Sequence, residues 1–219
     1  MLLFQLFADN PALVIPWILA LLIAITTHEF AHGFAAYKLG DDTAEKAGRL
    51  TLNPLAHLDV VGTFMLVLVG FGWARPVPIN PNLIGKGRLG QFIVASAGIL
   101  TNFAIAIFCI IALKLLFGVE AVDAQNYLTK FFAFLSLINL SLFIFNFIPI
   151  APLDGYHIFE NIAPRFFDRI APFMEQYGFF ILIAIVFMTN IVGRIITSFI
   201  YLISLLFGID IIGLAFRGL

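Results

Sequence analysis

His28, Glu29 and His32 lie within five consecutive residues. On a helix, positions four apart share a face, so the two imidazoles stack and Glu29 sits about a turn from the later one. Each histidine can then offer one nitrogen to a single Zn²⁺, while the carboxylate stays off the metal and takes a proton from water. The chemistry is metal-assisted hydrolysis, and it needs a third protein ligand from elsewhere in the chain.

Cys109 is the only cysteine, so neither an intramolecular disulfide nor a thiolate-rich metal site can be built. The third ligand is therefore a carboxylate or a histidine. Asp154 is the best candidate, because Pro149 and Pro152 interrupt regular hydrogen bonding ahead of it and Gly155 frees the turn behind it. His157 comes about a turn later, as a competing ligand, a supporting group or a histidine facing water. His57 could approach from another part of the chain, with three ligands already accounted for.

These residues must be positioned by membrane-spanning elements. Of the 219 residues 62% are hydrophobic and 11% charged, and the mean hydropathy is +1.05. A soluble domain is roughly 45–50% apolar and about 25% charged. The net charge of -1 leaves no basic surplus for nucleic acid. The expected fold is an all-α polytopic membrane protein in one domain over residues 1–219, with the lipid bilayer as its surroundings.

About five transmembrane helices are expected. Residues 12–39, 89–117 and 128–148 are full spans, each near the ~20 residues a bilayer core requires. Residues 178–188 and 195–216 read as two further spans joined by a tight turn, or as one long tilted helix. Between the first two spans, residues 60–73 are apolar but short and rich in glycine, as in a re-entrant or interfacial segment. Near it the alternation at 49–52 predicts a short strand, and the prolines at 76, 78 and 81 predict an extended piece. Residues 156–177 read as a polar connector. The first nine residues carry no basic residue, so the run holding the histidines is expected to be retained.

Segment 38–59 holds Lys38, Lys46 and Arg49, segment 74–88 holds Arg75, Lys86 and Arg88, and the connector holds Arg165 and Arg169. With 60–73 not crossing, these loops share one side, expected to be the cytoplasm, and the N-terminus is outside. The first and third spans then both run inward and bring the histidine pair and Asp154 to one depth, towards the cytoplasmic side of the plasma membrane.

The chain resembles the site-2 proteases, zinc metalloproteases that cut transmembrane helices within the bilayer. The resemblance rests on the His28–His32 pentad and on Asn146-Phe147-Ile148-Pro149-Ile150-Ala151-Pro152-Leu153-Asp154-Gly155, which matches the family's second signature. Gly98, Asn102, the stretch Asn53-Pro54-Leu55-Ala56-His57-Leu58-Asp59 and the stretch from Gly72 to Pro81 extend it over roughly residues 20–160. It implies one zinc per chain held by His28, His32 and Asp154, with Glu29 as acid/base and Asn146 holding substrate or the oxyanion. The branch implied is the compact one, without a PDZ or nucleotide-sensing domain. Asn80 and Asn102 are expected to contact substrate, the unwound transmembrane helix of a client membrane protein. The alternative is a non-proteolytic membrane metal-binding or transport protein.

Overall fold

The structure is a computed structural model, and it describes residues 10–70, 72–118 and 126–216. Helix α1 (Val14–Lys38) continues a 3₁₀ turn at Pro11–Leu13. Pro16 falls in its first turn, where the missing N–H would have had no helical partner. A short helix α2 (Thr43–Lys46) and a 3₁₀ turn (Pro54–Ala56) precede α3 (Val60–Val69). The long helices α4 (Gly87–Gly118) and α5 (Tyr127–Asn146) follow. The chain ends with α6 (Asp154–Ile162), α7 (Pro164–Met188), α8 (Ile191–Phe207) and α9 (Ile211–Phe216). Among the described residues four helices are long and apolar enough to cross a membrane: Pro11–Lys38, Gly87–Leu116, Tyr127–Asn146 and Pro164–Met188, with Ile191–Phe207 a shorter apolar helix.

The helices α1, α4 and α5 pack on one another. Lipid tails are as apolar as leucine, so in a bilayer such a bundle is held by close packing and interhelical hydrogen bonds rather than by escape from water. Ala20, Ala24, Ala106 and Ala133 are wholly buried and let the backbones approach, while Leu113 and Phe134 fill the space between them. The helix α6 lies on α4, where Ile158 clusters with Ala95 and Ile99.

Two local expectations are refined. Residues 49–52 form no strand, because their polar groups close turns: Arg49 N–H bonds Ala44 O, Thr51 Oγ1 accepts Asn53 N–H and Thr51 O accepts His57 Nε2–H. The sole β feature among the described residues is one antiparallel bridge, Leu58 to Ala74. The stretch predicted as a polar connector is helical, forming α6 and the first half of α7, with Pro164 in the first turn of α7.

The segment between the first two long helices doubles back. Asp59 caps α3 by accepting Gly62 N–H, and Gly70 ends it at φ 77°. The returning chain passes so close that a Cβ on Gly62 would overlap the carbonyl of Trp73, so only glycine fits. Residues 74–80 then run extended, tied to the outgoing arm by Arg75 N–H donating to His57 O at 2.9 Å.

At the C-terminal end, Phe167 meets Tyr156, Gly178 meets the backbone of Ala151, and Val186 and Ile196 line one groove with Phe145. Further on, Phe199 packs on Phe143, Ile200 and Ile203 join Leu140, and Lys130 Nζ donates to Leu214 O at 2.9 Å. From Phe145 onward the contacts move back along α5. Thr189 and Asn190 separate α7 from α8, so the region expected as two spans or one long helix forms two helices.

Candidate metal centre

Helix α1 carries His28 and His32 on its buried face, and Asp154 is the first residue of α6. The Nε2 atoms of the two histidines are 3.1 Å apart, and Asp154 Oδ2 lies 3.2 Å from each. These three are also the one group of histidine, cysteine or acidic side chains among the described residues with ligand atoms close enough to hold a metal ion.

The hydrogen bonds behind the rings decide what the converging atoms are. His32 Nδ1 faces Val94 O at 2.8 Å. A carbonyl only accepts, so that nitrogen carries the proton. His28 Nδ1 faces Asn102 Oδ1 at 2.5 Å. The amide orientation is fixed in turn, because Asn102 Nδ2 donates to Ala24 O and to Asn139 Oδ1, and Asn139 Nδ2 donates to Leu135 O. In their neutral form both rings thus present an Nε2 lone pair to a carboxylate oxygen. Three lone pairs at this distance repel unless a cation sits among them.

The spacing fits zinc. Ligands at 2.0–2.1 Å in a tetrahedron are about 3.3 Å apart, close to the 3.1 and 3.2 Å found. Nitrogen and carboxylate donors, three in number, are the usual set of a catalytic zinc that keeps a fourth position open. Gly98 of α4 makes the room, since a Cβ there would overlap His32 Nε2 and press on the His28 ring.

Glu29 is half-buried beside the ligands, and its Oε2 accepts the Val77 N–H at 2.9 Å. The extended segment 74–80 therefore crosses the histidine helix at the glutamate. It is secured by Arg49, whose guanidinium donates to the carbonyls of Arg75 at 2.7 Å and Pro76 at 3.2 Å, and by Asp41, which accepts the N–H of Asn80 at 2.7 Å.

Other sequence candidates fall elsewhere. Asn102, expected to meet substrate, is wholly buried with its amide bonded to His28, Ala24 and Asn139. Asn80, likewise expected at the substrate, accepts Asn82 N–H and shapes a turn. Asn146 is half-buried at the end of α5 and bonds Leu142 O. His57 is wholly buried on Thr51 O, and exposed His157 pairs with Glu160, so neither joins the metal cluster. Sequence reasoning missed Val94, Asn139, Val77 and Arg49. Asn139 had a signal, being an amide inside an apolar helix; the others act through or on backbone groups, which leave no residue-type signature.

The model of the family described as Peptidase family M50 matches residues 16–189. The chain is 41% identical over 183 residues to the "Putative zinc metalloprotease YwhC" of Bacillus subtilis, covering 82% of this chain and 84% of that protein. Two Rip2 proteins with the same description are also similar. That of Mycolicibacterium smegmatis is 28% identical over 174 residues and that of Mycobacterium tuberculosis strain H37Rv 30% over 170, and in each case 63% of the relative is covered. No solved structure matches the chain.

Proposed function

The chain belongs to peptidase family M50, and from that premise we propose that it is an intramembrane zinc endopeptidase that cuts transmembrane segments of client membrane proteins. The supporting observation is the convergence of His28 Nε2, His32 Nε2 and Asp154 Oδ2 on a helix apolar enough to span a bilayer. One zinc per chain is held by those three residues. When bound, the ion polarises a peptide carbonyl and acidifies water.

Glu29 takes a proton from the attacking water and returns it to the departing amine. A backbone donor or Asn146, at the end of the helix that leads towards Asp154, steadies the oxygen that gains charge. A client helix must be unwound before its backbone can be cut, and residues 74–80 offer an extended edge to which the unwound strand adds. The basic loops at 38–59, 74–88 and 164–169 support a plasma-membrane orientation with this end towards the cytoplasm.

The test is reconstitution of the purified chain in vesicles with a single-span client. Cleavage mapped inside the apolar segment and stopped by a chelator is the expected result. Cleavage confined to exposed loops would remove the intramembrane reading, and zinc binding with no cleavage would remove the protease reading.

A further inference from the structure

The carboxylate assigned to proton transfer is engaged. Glu29 Oε2 accepts the Val77 N–H at 2.9 Å. Val77 stands between Pro76 and Pro78, which have no N–H, so it supplies the only backbone donor of that triplet. The donor is held in place from several sides. Arg75 N–H bonds His57 O, and Arg49 grips the carbonyls of Arg75 and Pro76. The buried Val77 side chain lies against Gly33, where an added Cβ would stand 3.3 Å from Val77 Cγ1. Gly33 directly follows His32, so the extended segment docks on the turn of α1 that bears the second histidine.

We propose that the Val77 amide is a shared donor, which holds Glu29 in the resting protein and passes to a backbone carbonyl of the unwound client strand, freeing the carboxylate. The proposal rests on the reading of residues 74–80 as the client's docking edge. An N–H makes one good hydrogen bond, and an ionised carboxylate is a better acceptor than a peptide carbonyl. A lone carbonyl therefore loses the competition. A strand that pairs along the edge brings further contacts and wins it, so Glu29 is released only when an extended chain is in register beside the metal ligands.

The experiment is a binding cycle on the full reconstituted chain with a single-span client peptide, run with a chelator so that nothing is cut. Glu29→Ala removes the competing acceptor, and client affinity rises about two- to twelvefold, the range of one ordinary hydrogen bond. In Val77→Pro, which has no donor, client binding is weaker and adding Glu29→Ala changes nothing further. Equal affinity of the wild type and Glu29→Ala overturns the proposal, as does a full gain in the Val77→Pro background. Should Val77→Pro fail to fold, as read by its zinc content, hydrogen exchange at Val77 decides. In Glu29→Ala the amide exchanges fast alone and slowly with client; fast exchange in both states refutes the transfer. Zinc-loaded wild type with the same client tests the protease reading separately, since absence of cutting there leaves the binding cycle legible.

Discussion

His28 donates its Nδ1 proton to Oδ1 of Asn102, 74 residues further along the chain, at 2.5 Å. This one bond sets the tautomer of the ring and turns Nε2 towards His32 and Asp154. Groups that orient a metal-binding histidine in this way commonly change metal affinity by about 10- to 100-fold when removed. Asn102→Ala should lower zinc affinity by that order in a chelator-competition titration. Asn139→Ala should cost less, because Asn102 keeps its bond to Ala24 O. Wild-type affinity in Asn102→Ala would contradict the tautomer argument.

Gly98 gives a steric prediction with a built-in control. A Cβ there would overlap His32 Nε2, whereas a Cβ on Gly193 meets nothing within 4 Å. Gly98→Ala should bind little zinc by elemental analysis while keeping its helical circular dichroism, and Gly193→Ala should bind zinc as the wild type does. Equal zinc in the two variants would show that the helices can move apart to relieve the contact.

Asp41 carries a pH prediction outside the spans. Burial pushes its carboxyl up, but the hydrogen bonds from the Thr43 hydroxyl and from the N–H groups of Asn80 and Thr43 outweigh that, and the pKa falls below the ordinary carboxylate value. A depressed folded-state pKa means the ionised group stabilises the fold fully above the unfolded value of about 3.9 and loses that contribution as pH falls through the folded value. Asp41→Asn should therefore destabilise the protein at neutral pH by roughly 1–3 kcal/mol. The gap to wild type should narrow in acid, as followed by thermal unfolding in detergent.

What could be read in the sequence depended on whether the information was local. The His28–His32 spacing and the Pro152-Leu153-Asp154-Gly155 turn are local, and the side-chain atoms they offer lie within 4.8 Å of one another. Asn102 was singled out, but its role depends on a partner 74 residues away, and packing rather than residue type decides whether an amide faces substrate or a ligand. The alternation at 49–52 looked like a strand because alternation is a strand's mark, yet a strand needs a neighbour and these groups were taken by turns. Residues 156–177 read only as a polar connector because their charges masked a helical period. In α7 those charges include exposed Asp168, whose carboxylate lies 3.8 Å from Arg88.

Glu29 and Asp154 are both carboxylates beside the histidines, and their assigned roles predict opposite phenotypes. Asp154 Oδ2 is 3.2 Å from each Nε2, whereas Glu29 Oε2 is turned to the Val77 amide. Glu29→Gln should keep close to one zinc per chain, because the ligand set is untouched, and lose cleavage of a transmembrane client by about 10²–10⁴-fold, the usual contribution of a positioned acid/base. Asp154→Ala should lose the metal itself, since two histidines alone hold zinc weakly. Elemental analysis beside a client-cleavage assay separates the two. Full zinc in Asp154→Ala would remove it from the ligand set, and lost zinc in Glu29→Gln would make Glu29 a ligand rather than the base.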